Sequence, residues 1–280
     1  MTSQGGQNFI VTDAHLLESV DQEIENSFRK YYNRIAEFRA ILYEMSKNTI
    51  TARQYNIYRD NYLYRTISTL PSLAKLLVSV VNQDPIDRNA LNLVEKTFYE
   101  ESGEGGRRPI HLDMLIESHN THGSQIFNIA PISRQSVGES PNILTSARQL
   151  RSVQASLYSS NCYVKALGVF LAQEGVAESM LKMFYETFFE PYLGHYEGSL
   201  LKKRRVTQYF SSHLNGIEKE HAARAKHCAL KACHNKRDAA TLLNSMDQFL
   251  DSQANLWEAL GKEFELSNVG GSGEATSHLS

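Results

Sequence analysis

The chain is poor in what several function classes require. Its 280 residues include only three cysteines, at 162, 228 and 233. So small and odd a number builds no disulfide framework. With the polar start MTSQGGQN, which lacks an apolar leader core, it points to a reducing cytoplasm. Cys228 and Cys233 lie near His227 and His234, but the spacing fits no common zinc finger and a second cysteine pair is missing. A dominant charge is missing as well. The formal net charge of −2 offers no basic field for nucleic acid and no polybasic patch for a membrane surface. The lone basic run at 202–205, KKRR, reads as a solvated loop or helix start. No apolar run reaches the ~18–20 residues of a membrane span. Alternating strand patterns and internal repeats are absent too.

What the chain does have is helical periodicity and a hydrophobic content of 41%, enough for a core. After the N-cap candidates Thr12 and Asp13, apolar residues recur at helical spacing from Leu16 to Leu42, predicting one long amphipathic helix to about residue 46. Thr51 caps a second helix, 52–81, dense in tyrosine and arginine and kinked at Pro71. In that helix Arg59 and Tyr62 are the candidates for binding a polar substrate group, against the plainer reading of core aromatics and outward arginines. A third helix spans 87–101 and stops at SGEGG. Residues 129–141, rich in Pro, Ser and Gly, form a loop within one domain. Helices then return over about 143–194, 207–233 and 237–264. The expectation is an all-α bundle of six to seven helices over 13–266, with flexible tails at 1–12 and 267–280.

Three segments carry candidate metal ligands. Residues 99–111, YEESGEGGRRPIH, end a helix on carboxylates, reverse through glycines and enter the next element at His111; the reversal can return His111 to Glu101. Glu174 follows the apolar run ALGVFLAQ, where a buried carboxylate is costly unless paired or metal-bound. Residues 209–221, YFSSHLNGIEKEH, hold His213, Glu218 and His221. Ligands at i, i+4 and i+7 share a helix face within about 60°, whereas the i, i+5, i+8 spacing here spreads them over about 140°. A π-bulge at Asn215–Gly216 would restore the shared face and leave Glu220 in solvent. A regular helix would favour Glu220 instead.

Together these segments resemble the haem-oxygenase-like di-metal oxidase family. The resemblance rests on Glu101 with Gly103, Gly105 and His111; on Ala166, Leu167, Gly168 and Glu174; and on Tyr209, Phe210, His213 and His221. It departs at Ile217, where the family has an acid; Glu218 is one place late. Glu100 and Glu104 compete with Glu101 for the first ligand role. The resemblance implies a haem-oxygenase-like helical bundle and a non-haem di-iron oxygenase or oxidase. Its two iron ions, cycling between Fe(II) and Fe(III), would be held by Glu101, His111, Glu174, His213, Glu218 and His221, with O2 as co-substrate. The implied substrate is a small amine- or carboxylate-bearing metabolite, N-oxygenated or cleaved at a C–C bond, in specialised biosynthesis. An external electron donor fits such chemistry, and long helices with exposed apolar positions fit a homodimer. A ferritin-like site would need two Glu-x-x-His pairs, and only Glu218-x-x-His221 is present. The remaining alternatives are a haem-binding oxygenase with His15 as proximal ligand and a metal-free protein on the same fold.

Overall fold

The computed structural model describes residues 14–269. The expected N-caps Thr12 and Asp13, the tail at 1–12 and most of the tail at 267–280 lie outside the described residues. Helices account for most of the described residues, and no strand occurs among them. In order they are α1 (Ala14–Arg34), α2 (Ala36–Ser46), α3 (Ala52–Thr66), α4 (Thr69–Val81), α5 (Arg88–Glu101) and α6 (His111–Ile126). Then follow α7 (Thr145–Tyr158), α8 (Tyr163–Phe188), α9 (Leu200–Leu214), α10 (Ile217–Lys231) and α11 (Lys236–Val269), with three short 3-10 turns between them.

The all-helical architecture matches expectation, but the helices outnumber the six to seven predicted because four long periodic stretches are interrupted. Ile35 leaves helical geometry at φ −90°, ψ 9° and divides α1 from α2. The apolar stripe runs through the bend unbroken, from Ile24 and Tyr31 to Phe38 and Leu42, all buried. A pattern read for periodicity therefore sees one helix. The second stretch divides at Ile67–Ser68, ahead of Pro71, which sits in the first turn of α4 where its missing N–H is not needed. The third, predicted over about 143–194, divides between Tyr158 and Tyr163, and the fourth divides at Gly216. At the far end α11 continues to Val269, beyond the predicted end near 264.

The core is layered around α8, which packs most extensively on α11 and α10. From Ala166 to Glu174 every α8 side chain is buried. Gly168 allows the closest approach: a Cβ there would collide with the Leu242 carbonyl oxygen and Ser245 Oγ of α11. Trp257 stacks on Phe38 at 5.7 Å between centroids. Its indole N–H donates to Tyr31 Oη (2.9 Å), satisfying a polar group that would otherwise be orphaned in the core. α3 is buried on nearly all sides, polar residues included, and it fastens the 128–144 loop. Asp60 accepts from Ser140 (2.5 Å) and Asn142 (2.8 Å), and Asn61 accepts from Leu144 N–H (2.9 Å). These hydrogen bonds tie the loop to α3.

Candidate metal centre

The centre is assembled from the ends of four helices, α5, α6, α9 and α10, and the middle of a fifth, α8. α5 ends on Glu100 and Glu101. The next residues turn through left-handed geometry at Gly103 (φ 88°), Glu104 (52°), Gly105 (67°) and Gly106 (85°), conformations that glycine adopts without steric cost. At Gly103 a side chain would also strike the Arg108 carbonyl. The reversal starts α6 at His111, whose Nδ1 lies 3.1 Å from Glu101 Oε1. Glu104 instead pairs with Arg108 at 3.2 Å.

α9 contributes His213. Its Nδ1–H donates to the Tyr209 carbonyl at 2.7 Å, which fixes the tautomer and leaves Nε2 as the lone-pair nitrogen. That Nε2 is 3.8 Å from Glu101 Oε1 and 3.8 Å from Glu218 Oε1. The His111 and His213 rings meet edge to face at 4.5 Å.

The expected π-bulge is not what brings Glu218 round. The helix breaks outright: Asn215 closes α9, Gly216 adopts φ 109°, ψ −9°, and α10 restarts at Ile217. Positive φ at Gly216 re-aims the chain more completely than one inserted residue would. The Glu218 side chain is 5% exposed, whereas that of Glu220 is 66% exposed and bound to Arg224 at 2.8 Å. His221, one turn on, places Nδ1 3.4 Å from Glu174 Oε2 and 4.0 Å from Glu218 Oε2.

The six groups therefore form two clusters, Glu101–His111–His213 and Glu174–Glu218–His221. Within each, the donor atoms lie within 4.8 Å of one another. Glu218 reaches both, one oxygen toward each. No comparable cluster exists at Cys228, Cys233, His227 or His234 among the described residues, and the two cysteines are packed in the core. His15 is exposed on α1.

The electrostatics are those of a cation site. Among the described residues, Glu101, Glu174 and Glu218 have only histidines as ion-pair partners, so three carboxylates converge without a lysine or arginine of their own. Burial, reinforced by Glu174 and Glu101, raises the Glu218 pKa against the opposing pull of His213 and His221. Burial also opposes charging His221. Hydrogen bonds from Glu100 and Glu174 and the charges of Glu174 and Glu218 outweigh it and lift its pKa to about 11. Divalent ions fit this donor set. They would replace those protons as counter-charge, and a cluster of two histidines and one carboxylate with open positions suits non-haem Fe(II). A pH dependence follows. His221 must be neutral to ligate, so metal uptake at pH 7 is expected to release at least about one proton per chain, and affinity should rise with pH below about 11. Calorimetric titration of the metal in buffers of different ionisation enthalpy checks this.

Two tyrosines line the centre. Tyr62 from α3 and Tyr209 from α9 lie beside each other, and both feel Glu101 and Glu218. Burial holds both phenols protonated, Tyr62 up to about 12. Arg59, the other expected substrate group, is a strut. Its guanidinium donates to Asp60 (2.8 Å), the Ala130 carbonyl (2.8 Å) and Asn56 (2.6 Å). Arg65, one turn beyond Tyr62, differs: it donates to Gln253 at 3.2 Å, its buried Nε has no partner, and no carboxylate among the described residues pairs with it.

Sequence reasoning also missed His119 and His122 of α6. Both are fully buried and lie by the hydroxyls of Tyr55 (3.1 Å) and Tyr196 (2.9 Å). Burial holds both neutral, His122 down to about 3. An i, i+3 histidine pair on one helix face was the available signal.

Comparison with known proteins gives a family and a fold. The sequence model of a family described as iron-containing redox enzymes matches residues 55–254, a span that contains all six groups. A domain of unknown function from Shewanella denitrificans OS217, with a haem-oxygenase-like fold, superposes with a TM-score of 0.60 at 18% identity over 95% of this chain and 100% of that one. A CADD-like protein of unknown function from Nostoc punctiforme PCC 73102 gives 0.60 at 13% identity, covering 86% and 98%. A TenA homolog from Pseudomonas syringae pv. tomato DC3000 gives 0.67 at 11% identity, covering 94% and 99%. At these identities the likeness is one of fold alone. No curated protein matches the sequence significantly.

Proposed function

Since the chain belongs to the family of iron-containing redox enzymes and has the haem-oxygenase-like fold, we propose that it is a non-haem di-iron oxygenase or oxidase acting on a small metabolite. The observation that carries this reading is the pair of buried His/carboxylate clusters joined by Glu218. Glu101, His111 and His213 would hold one ion; Glu174, Glu218 and His221 the other. When bound, the iron pair supplies O2 binding and the electrons for its reduction.

The chain's own residues supply the rest. The Tyr209 carbonyl keeps His213 in the tautomer that can ligate. The side chains of α3, α8 and α9 exclude water. Tyr62 and Tyr209, protonated at any working pH, offer hydrogen-bond donors at the edge of the site without adding charge. Arg65, with an unused donor and no acid partner among the described residues, favours an anionic group on the substrate. A carboxylate-bearing metabolite, such as an amino acid or fatty acid, fits better than a neutral one, and N-oxygenation or oxidative C–C cleavage in specialised biosynthesis is the proposed chemistry.

The test is O2 consumption by anaerobically iron-loaded protein against a panel of amino acids, fatty acids and amines. The expected result is substrate-stimulated uptake that disappears in His111→Ala and His213→Ala. Uptake that survives both substitutions, or a Soret band in place of non-haem iron, contradicts the proposal.

A further inference from the structure

One carboxylate beside the centre belongs to neither cluster. Glu100 precedes Glu101 at the end of α5, and the ~100° step per helical residue sends the two neighbours to different partners. Glu101 meets His111 and His213, whereas Glu100 places Oε2 3.0 Å from His221 Nε2. This is the opposite edge of the imidazole from Nδ1, which faces Glu174 and Glu218. Glu100 is held in turn. Arg224, three residues after His221 on α10, donates to both of its oxygens (2.6 and 3.4 Å) and also to Glu220 (2.8 Å). Lys96 stands 4.0 Å from its other oxygen.

Resting on the di-metal reading above, we infer that Glu100 is a positioning residue for the second ion and not a ligand: it accepts the Nε2–H of His221 and so presents Nδ1 to the metal. Two features support this division of labour. An imidazole ligates through one ring nitrogen, and the partner of the other decides which one it is and how the ring is turned. The Arg224 fork occupies both Glu100 oxygens and offsets their charge, which keeps this carboxylate away from the ion. Adjacent glutamates in the EE pair thus do different work, and Arg224 with Glu220 forms the brace that separates them.

The probe is Co(II) alone, titrated into metal-free wild type, Glu100→Ala, Glu100→Gln and Glu220→Ala, with proton NMR of the loaded proteins. Wild type is expected to take up two Co(II) per chain. Glu100→Ala should weaken one of the two sites by about 10–100-fold and leave the other unchanged, the size of effect typical when a ligand's hydrogen-bond partner is removed. Glu100→Gln should recover part of that loss, because its amide oxygen still accepts the Nε2–H but carries no charge. The exchangeable, paramagnetically shifted Nε2–H resonance of His221 should be visible in wild type and Glu100→Gln and be lost to solvent exchange in Glu100→Ala. A purely structural role would lower thermal stability while leaving this resonance in place, and that pattern overturns the inference. So does complete loss of one Co(II) in both Glu100 variants, which would make Glu100 a ligand, or no change in either. A wild-type chain that fails to take up two Co(II) overturns the underlying di-metal reading, a result distinct from these.

Discussion

Glu218→Ala protein, loaded anaerobically with Fe(II), is expected to keep about one iron per chain and to lose O2 consumption at least about 100-fold. Glu220→Ala should keep both irons and most of its activity. The basis is placement. Glu218 is nearly inaccessible and contributes one oxygen toward each cluster, 3.8 Å from His213 Nε2 and 4.0 Å from His221 Nδ1. Removing a partner of a metal ligand costs about 10–100-fold; removing a carboxylate that stands between both ions should cost at least the upper end of that range. Glu220 lies mostly in solvent and meets only Arg224, and exposed pairs of this kind contribute about 0–1 kcal/mol. Iron analysis and oxygen-electrode traces on the two variants check the contrast. Equal losses in both would mean that the break at Gly216 does not select between the two carboxylates.

Gly168→Ala is expected to destabilise the fold by about 3 kcal/mol or more, against the ordinary direction of the exchange. In a helix interior, alanine normally exceeds glycine by about 1 kcal/mol. Here the new methyl would meet the Leu242 carbonyl and Ser245 Oγ of α11. The carbonyl belongs to backbone, so relief requires moving one of the two longest helices in the chain, and overpacking of this sort costs typically 1–3 kcal/mol and occasionally more. Gly194→Ala is the control. Nothing lies within 4 Å of a Cβ there, so its effect should stay within about 0.5 kcal/mol. Urea unfolding of the metal-free proteins measures both. The second effect to look for is functional: Glu174 sits on α8 less than two turns from Gly168, so a shifted α8 should also weaken metal uptake.

These two cases show which parts of the molecule were legible in the sequence. The apolar period marked most helical stretches, α6 excepted, because burying a stripe is what stabilises a helix in a bundle. It did not mark the bend at Ile35, because the stripe carries straight through. Candidate ligands were legible because histidines and carboxylates near glycine turns and at the end of an apolar run have few other uses, and the structure brings those six side chains together. The device that turns Glu218 inward was misjudged. Gly216 was recognised as the weak point, but a helix break and a bulge leave the same trace in a sequence, and only the backbone angles separate them. Arg59 and Arg65 look equivalent in QYNIYRDNYLYRT. Their difference lies in partners 71 and 188 residues away, Ala130 for one and Gln253 for the other. Glu100 was likewise indistinguishable from Glu101, since its task depends on His221 and Arg224, 121 and 124 residues further along.

The central claim is that the two clusters hold a pair of iron ions. X-ray absorption at the iron edge of the Fe(II)-loaded protein, together with iron analysis, tests it most directly. The predicted result is two irons per chain, coordinated by nitrogen and oxygen only, each with an iron neighbour at ~3.5–4 Å. A single iron per chain, isolated irons with no metal neighbour, or the scattering of a porphyrin would contradict it.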